Sequence, residues 1–217
     1  MKYRLVIFDM DGTLLYTLED LTDGLNHALH LNGFPTKTMK EVRSYVGNGI
    51  RNEVRCSLPS DTNVSIQQKV YEDFSAYYNV HCNDHTRPYE GILDLLRKLR
   101  NDGVLTAVVS NKGDYAVQEL DKQYFDGLLD AGVGEREDEG IARKPAPDTV
   151  NAVLNKLHTD RKDAVYVGDS EVDIKTALNA HMDSIIVDWG YRDRSDLIKD
   201  GAKKIVSAPE ELYECLK

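Results

Sequence analysis

The stretch VIFDMDGTLLYT, from Val6 to Thr17, contains the feature that decides the fold. A short apolar run leads directly into two aspartates, Asp9 and Asp11, which have a single residue between them. The pair Asp11-Gly12 taken alone is typical of a turn. Asp9, however, lies where the apolar run is still in progress, and an ionised carboxylate at the end of a buried strand is costly unless a positive charge compensates it. The stretch therefore predicts a strand that ends in a charged site.

Short apolar runs recur along the chain and alternate with helical patterns. Their lengths are those of buried strands, and they lie at Leu5–Phe8, Val104–Val109, Ala164–Val167, Ser184–Val187 and, more weakly, Lys204–Val206. Stripes of apolar residues at helical spacing lie between them, for example from Ile92 to Leu99, where Gly103 ends the pattern. This alternation predicts right-handed β-α-β units, so we expect an α/β fold with a Rossmann-like parallel sheet and helices on both of its faces.

The interval from Leu14 to about Asn83 departs from this alternation. It contains helical patterns, including an apolar stripe from Leu18 to Leu29, and no convincing strand pattern. An interval of about 70 residues is far longer than an ordinary βα loop of about 2–6 residues. The sequence therefore predicts a small all-helical cap domain, residues 15–82, inserted after the first strand of an α/β core that comprises residues 1–14 and 83–217.

Composition narrows the classes of function. The 217 residues include 37 acidic and 27 basic side chains, and the formal net charge of -10 disfavours nucleic acid or an anionic membrane surface as a partner. The three cysteines are widely spaced and suit neither a disulfide framework nor a zinc site. The apolar run before Asp9 is too short for a signal peptide, and no run approaches the roughly 18 residues of a membrane span. We expect a cytoplasmic protein that is a monomer or a weak homodimer.

Polar motifs follow the predicted strands, where ligands bind in an open parallel sheet. Three of them follow strands directly, namely DMDGT (9–13), SNK (110–112) and GDSEVD (168–173), and a fourth motif, RKP (143–145), lies in the loop before the helix predicted at Asp148. They contribute four carboxylates, those of Asp9, Asp11, Asp169 and Asp173. Four such groups near one point require a compensating cation, and carboxylate oxygens favour Mg²⁺.

The groups beside these carboxylates suit phosphate chemistry. Ser110 offers a hydroxyl and Lys144 a compact cation, while the backbone amides near Asp11 and Asn111 can donate to anionic oxygens. A carboxylate nucleophile, a second carboxyl group, a metal and a lysine are the parts needed for phosphoryl transfer through an aspartyl-phosphate.

In this order and spacing, DMDGT, SNK, RKP and GDSEVD resemble the four motifs of the haloacid dehalogenase superfamily. The stretches VGNGIR, YFDGLLD and DWGYRDRSDL resemble its phosphoglycolate phosphatase branch in particular, and the resemblance spans essentially the whole chain. It implies a Mg²⁺-dependent phosphomonoester hydrolase that acts on a small phosphorylated metabolite, with 2-phosphoglycolate as a candidate.

The resemblance also implies roles for individual residues. Asp9 would attack phosphorus, and Asp11 would protonate the leaving oxygen and then activate water against the phospho-aspartate, with Lys144 completing the catalytic set. Mg²⁺ would be held by Asp9, Asp11 (through its backbone carbonyl) and Asp169, with Asp173 close behind. The implied substrate-binding set is Gly12, Thr13, Ser110, Asn111, Lys144 and, from the cap, Arg51.

Other functions remain open at this point, and a nucleotide or pyrophosphate hydrolase is one of them. A sugar-phosphate mutase has a similar core and cap, although relatives of that kind usually carry DGV in place of DGT. A phospho-acceptor module that signals by holding its acyl phosphate has a similar acidic cluster, but Asp11 is placed to promote hydrolysis.

Three further positions carry expectations. The residues from Ser170 to Asp173 fit a capping box, so part of this motif also marks the start of a helix. Tyr16 replaces the small acidic or amide residue that relatives commonly carry, which weakens any specific substrate claim. His181 stands where relatives often have glycine after a helix, so we expect some backbone strain there.

Overall fold

The computed structural model describes residues 1–217, with the exception of the side chain of Asp138. Its strands are β1 (Leu5–Phe8), β2 (Leu15–Tyr16), β3 (Arg87–Pro88), β4 (Leu105–Gly113), β5 (Ala131–Glu135), β6 (Ala164–Gly168), β7 (Asp183–Val187) and β8 (Ile205–Val206). Its α-helices are α1 (Leu18–Leu31), α2 (Met39–Tyr45), α3 (Ile50–Ser57), α4 (Val64–His81), α5 (Ile92–Asn101), α6 (Asp114–Tyr124), α7 (Asp148–Lys156), α8 (Glu171–Asn179), α9 (Arg194–Lys199) and α10 (Pro209–Leu216).

Six of the strands form one parallel sheet in the order β5-β4-β1-β6-β7-β8. The first strand, β1, lies in the middle and pairs in parallel with β4 on one side and with β6 on the other. All four of its residues are fully buried, as expected for a strand that is covered on both faces. The predicted α/β fold with a Rossmann-like parallel sheet is therefore confirmed.

A hydrophobic cluster covers one face of this sheet. It combines alternate residues of the central strands with apolar residues of α7 and α8, because successive side chains of a strand point to opposite faces. Its members on the strands are Leu5, Ile7, Ala107, Val109, Ala131, Val133, Ala164 and Tyr166. Tyr166 is the only one of these eight that carries a polar atom on its side chain.

Three details of the predicted strands are wrong. Strand β5 was not predicted, because its sequence AGVGE lacks the β-branched and aromatic run that marks the other strands. Strand β4 continues to Gly113, so Ser110 to Lys112 form its end instead of following it. The interval expected to hold no strand contains β2, which pairs with β3 in a separate two-stranded sheet.

The chain divides into two compact units, one of Met1–Leu15 with Pro88–Lys217 and one of Tyr16–Arg87. We call the first the sheet unit and the second the helical unit. The helical unit contains α1 to α4, and the buried residues of α1 and α4 form its interior, where the rings of Phe74 and Tyr78 stack at 5.1 Å. The assignment of residues 15–82 to an independent cap domain stays a prediction.

Two further expectations can be compared with the backbone and the helices. His181, two residues after the end of α8, has a φ angle of 54°, the left-handed conformation in which the expected backbone strain arises. Among the described residues, none of the helices combines the length and the apolar character that a membrane-spanning segment requires.

Candidate active site

The candidate site lies at the carboxyl ends of three neighbouring strands of the sheet unit. Asp9 directly follows β1, and its backbone N–H donates to the carbonyl of Val167 on β6 at 2.8 Å. Asp169 directly follows β6, while Ser110 belongs to the last residues of β4. Because these strands are adjacent in the sheet, motifs that are far apart in the sequence converge at one edge.

Three buried carboxylates form the centre of the site. Asp9, Asp169 and Asp173 each offer an oxygen that lies within 4.8 Å of the others. The side chain of Asp11 is not part of this group among the described residues, because its Oδ1 lies 3.1 Å from the Nζ of Lys112. Of the predicted Mg²⁺ ligands, the structure thus brings the carboxylates of Asp9, Asp169 and Asp173 together, while binding through the backbone carbonyl of Asp11 stays a prediction.

Lys144 is the buried cation of this cluster. Its Nζ lies 2.8 Å from Oδ1 of Asp9, 2.9 Å from Oδ1 of Asp173 and 3.1 Å from the hydroxyl of Tyr166. An ammonium group has three N–H donors, so these three acceptors use all of them. Burial opposes the charged form, but the carboxylates of Asp173 and Asp9 outweigh it and raise the pKa of Lys144 well above its ordinary value.

Asp173 organises the cluster through five hydrogen bonds. Its Oδ1 accepts from Lys144 and from the hydroxyl of Tyr166, and its Oδ2 accepts from the backbone N–H groups of Asp169 and Ser170 and from the Ser170 hydroxyl. The expected capping box at the start of α8 is therefore confirmed. Burial raises the pKa of Asp173, but Lys144 and the hydrogen bonds more than offset this and lower it. Since its oxygens are already engaged, Asp173 is better suited to hold its neighbours than to bind a metal directly.

Asp9 has one carboxylate oxygen that is held by hydrogen bonds and one that is not. Its Oδ1 accepts from Lys144 and, at 2.6 Å, from the backbone N–H of Met10, whereas no described group donates a hydrogen bond to Oδ2. Burial and the charge of Asp173 raise the pKa of Asp9 well above its ordinary value, and Lys144 opposes this rise only in part.

Asp169 is held by residues from two other motifs. Burial and the charge of Asp173 raise its pKa to about 7, although the backbone N–H of Tyr191 (2.7 Å to Oδ2) and the hydroxyl of Thr13 (3.1 Å to Oδ1) stabilise its ionised form. Gly12 has a φ angle of 84°, and a Cβ atom at this position would collide with the Asp169 carboxylate. Gly12 and Thr13, which were predicted to bind substrate, therefore constrain the position of the Asp169 carboxylate.

The end of β4 fixes the loop that carries Lys144. The side-chain amide of Asn111 donates from Nδ2 to the carbonyl of Lys144 at 2.9 Å and accepts its backbone N–H at 2.8 Å. Ser110 accepts the backbone N–H of Lys112 on its hydroxyl at 3.2 Å. Asn111 was predicted to bind the phosphoryl group, and the structure gives its side chain the additional task of positioning Lys144.

Sequence reasoning assigned no role to two residues of this site. Lys112 is buried beside Asp11, with 1% of its side chain exposed, although the SNK motif that contains it was identified. A lysine at the end of a buried strand was the available signal, because a buried cation needs a paired carboxylate. Tyr166 is fully buried within the apolar run of β6, and no signal in the sequence distinguishes its hydroxyl from that of an ordinary core tyrosine.

Arg51 and Tyr16 belong to the helical unit. The Arg51 guanidinium lies 3.9 Å from the centre of the Tyr71 ring, and its Nη1 donates to Gln68 at 2.6 Å. The Tyr16 ring lies 4.5 Å from the guanidinium of Arg87. The predicted contact of Arg51 with substrate stays a prediction.

Comparison with known proteins identifies the family of this chain. The family model of haloacid dehalogenase-like hydrolases matches residues 6–187. The phosphoglycolate phosphatase of Neisseria meningitidis is 32% identical over 98% of this chain and 93% of its own length. The phosphoglycolate phosphatase of Agrobacterium fabrum is 32% identical over 87% of this chain and 82% of its own length.

A solved structure agrees with these sequence relatives. A protein of Lactobacillus delbrueckii subsp. bulgaricus, provisionally named a phosphoglycolate phosphatase, superposes with a TM-score of 0.94 and 39% identity. The match covers 100% of this chain and 99% of that protein, so the fold similarity extends over both units of the chain.

Proposed function

This chain belongs to the haloacid dehalogenase-like hydrolase family and is a phosphatase of that family, and from this premise we propose that it hydrolyses a small phosphomonoester through an aspartyl-phosphate on Asp9. The proposed cofactor is Mg²⁺. The first candidate substrate is 2-phosphoglycolate, because relatives at 32% identity are phosphoglycolate phosphatases.

The state of the Asp9 carboxylate is the observation that carries this proposal. Lys144 and the N–H of Met10 fix Oδ1, while Oδ2 accepts no hydrogen bond from a described residue. One oxygen is therefore oriented, and the other keeps its lone pairs for attack on phosphorus. A buried carboxylate with one oxygen fixed in this way is an effective nucleophile.

The charge balance of the cluster supports a divalent cation. The three carboxylates share a single ammonium group in direct contact, that of Lys144, so their potential negative charge exceeds the positive charge that touches them. The raised pKa values of Asp9 and Asp169 express the same deficit. Asp9 and Asp169 would hold Mg²⁺, which suits carboxylate oxygens and, when bound, neutralises charge on the phosphoryl oxygens.

The proposed reaction has two displacements at phosphorus. In the first, Asp9 attacks, the ester P–O bond breaks, and Asp11 donates a proton to the leaving oxygen. In the second, Asp11 takes a proton from water as that water attacks phosphorus, the bond from phosphorus to Asp9 breaks, and phosphate leaves. Ser110 binds phosphoryl oxygens in both steps, and Lys144 does so through the N–H that otherwise points to Asp9.

Lys112 places a positive charge beside Asp11, the residue proposed to transfer the proton. Its Nζ lies 3.1 Å from Oδ1 of Asp11, so the carboxylate that returns after each proton donation has an ammonium beside it. This contact also restricts the rotation of the Asp11 side chain. Both effects favour an Asp11 that stays in one position while it changes protonation state.

We further propose that the helical unit contributes to the selection of substrate, with Arg51 as a contact. The substrate is a small phosphorylated metabolite, and neither nucleic acid nor a membrane is a partner, in keeping with the net charge of -10. The proposed state is a cytoplasmic monomer or weak homodimer.

Release of inorganic phosphate from a panel of small phosphomonoesters, including 2-phosphoglycolate, tests the proposal. The wild-type protein is measured with Mg²⁺ and with EDTA, beside Asp9→Asn and the matched control Asp94→Asn. Asp94 is an exposed residue of α5 that pairs with Arg97 at 3.0 Å, so its substitution removes the same charge away from the site. We expect turnover that requires Mg²⁺, that is lost in Asp9→Asn and that is retained in Asp94→Asn.

Turnover that survives both EDTA and Asp9→Asn would contradict the proposed nucleophile and cofactor. Stable labelling of Asp9 by a phosphodonor, without release of phosphate from any ester, would favour the phospho-acceptor function instead. A clear preference for another ester would leave the mechanism in place and replace 2-phosphoglycolate as the substrate.

A further inference from the structure

The hydroxyl of Tyr166 is not needed for the packing of the core. The ring lies in the hydrophobic cluster beside residues of β1, β4 and α7, and the residue is fully buried. A phenylalanine would fill the same space. A buried hydroxyl costs free energy unless it is hydrogen-bonded, so its presence calls for partners.

Those partners are two charged groups of the catalytic cluster. The Tyr166 hydroxyl accepts a hydrogen bond from Nζ of Lys144 at 3.1 Å and donates one to Oδ1 of Asp173 at 3.1 Å. Lys144 and Asp173 are also joined directly at 2.9 Å. The three groups form a closed triangle in which each is bonded to the other two.

The third acceptor of Lys144 is different, because it is the group that reacts. Once the Asp9 carboxylate is esterified by phosphorus, it loses its negative charge and becomes a poorer acceptor. The N–H of Lys144 that points to Asp9 then has a phosphoryl oxygen as its best partner. The other two acceptors, on Tyr166 and Asp173, are unchanged by the reaction and can hold the ammonium group in place.

We propose that Tyr166 is a positioning residue which, together with Asp173, keeps the ammonium of Lys144 directed at the reacting phosphoryl group. The inference rests on the proposed function, since it assigns Lys144 a task in phosphoryl transfer. A hydrogen bond from a neutral phenol serves this purpose well, because it orients the ammonium without adding a further negative charge to the cluster.

The substitution Tyr166→Phe tests the proposal, with Tyr3→Phe as the matched control. Tyr3 is also buried in the sheet unit, and its hydroxyl donates to Oδ2 of Asp183 at 2.6 Å. Each variant thus loses one phenol hydroxyl that donates to a carboxylate. We expect Tyr166→Phe to lower kcat about tenfold with KM nearly unchanged, as for a contact that matters mainly in the transition state, and Tyr3→Phe to leave both constants unchanged.

Two further measurements separate positioning from other roles. The urea midpoints of both variants show whether either has lost its fold. The Mg²⁺ concentration for half-maximal activity shows whether Tyr166 acts through the metal site, since Asp173 lies in the same cluster. We expect similar small shifts of the midpoint in both variants and no recovery of kcat at saturating Mg²⁺.

The double variant Tyr166→Phe/Asp173→Asn adds a coupling test. If both residues hold the same ammonium group, the combined loss of kcat is smaller than the product of the separate losses. Equal kcat in Tyr166→Phe and wild type, or full recovery at high Mg²⁺, would overturn the inference while the phosphatase mechanism stands. A wild-type protein that releases no phosphate from any ester would instead overturn the proposed function.

Discussion

One lysine of the sheet unit and one lysine of the helical unit pair with carboxylates in opposite environments. In the sheet unit, Lys144 is 2% exposed in its side chain and pairs with carboxylates that are also buried. In the helical unit, Lys69 pairs with Asp73 at 3.0 Å, but its side chain is 64% exposed. Buried charges hold one geometry and are costly to disturb, whereas exposed pairs contribute little. The contrast indicates that the charges held in a fixed geometry for chemistry lie in the sheet unit.

The largest expected effect comes from removing the buried cation. Lys144→Met leaves Asp9 and Asp173 without their ammonium partner, so we expect phosphate release to fall about 10²–10³-fold and the free energy of unfolding to fall by about 3–5 kcal/mol. The matched variant Lys69→Met should change the free energy of unfolding by less than about 1 kcal/mol. Urea denaturation measures the free energy of unfolding of both variants, and phosphate release measures their activity. Equal destabilisation by the two variants would break the contrast between the units.

The second prediction separates the cost of backbone strain at a glycine from the effect of a steric collision with the candidate site. Gly12 and Gly33 both have positive φ angles, 84° and 74°, but a Cβ atom at Gly33 would meet nothing within 4 Å, whereas one at Gly12 would strike Asp169. We expect Gly12→Ala and Gly33→Ala each to cost about 1–3 kcal/mol of stability from strain. Only Gly12→Ala should also reduce kcat, by about 100-fold, because Asp169 is displaced. A similar kcat in both alanine variants would show that Asp169 tolerates the displacement.

A third effect concerns the buried carboxylate of the helical unit. Asp20 is 2% exposed and accepts hydrogen bonds from the backbone N–H groups of His85 and Thr86 and from the Thr86 hydroxyl. Asp20→Asn replaces one acceptor oxygen with a donor, so we expect a loss of about 1–3 kcal/mol in the free energy of unfolding. Phosphate release per folded molecule should be unchanged. A loss of activity without a loss of stability would mean that Asp20 takes part in the reaction.

The smallest effect tests the exposed surface of the helical unit. Arg51→Ala should raise KM about fivefold with kcat unchanged, because Arg51 is proposed to bind substrate and not to act on the transition state. Arg55→Ala is the matched control, since Arg55 is exposed on the same helix and bonds to Asn52 at 2.7 Å. Steady-state kinetics on the preferred ester measure both variants. Identical KM values for the two would remove Arg51 from the substrate site.

The central strands could be predicted from the sequence because they are buried on both faces. The bounds of β1 are those predicted, and β6 extends its predicted run by one residue. Strand β5 pairs only with β4, at the edge of the sheet, and its two glycines and single valine lack the composition of a strand. Its strand structure comes from pairing with β4, a long-range contact that local sequence patterns do not report.

The candidate site could be predicted as a set of residues but not as a set of contacts. The motifs indicate which side chains lie at the carboxyl ends of the strands, since this follows from strand order and direction. They do not indicate that Lys112 faces Asp11 while Lys144 faces Asp9, because the spacing of residues in a motif does not determine which partner a long side chain meets. Which ammonium meets which carboxylate depends on the packing around each stem, and the sequence alone does not contain it.

The central position of β1 has a consequence for the synthesis of the chain. Its partner β6 follows about 160 residues later in the chain, which at about 5–20 residues per second means roughly ten to thirty seconds of translation. During that time Asp9 cannot be enclosed by the finished sheet. The RKP loop is translated before β6, so Lys144 is already present when the sheet closes around Asp9. The order of the motifs therefore provides the carboxylate with its counter-charge before the ribosome has delivered the strand that buries it.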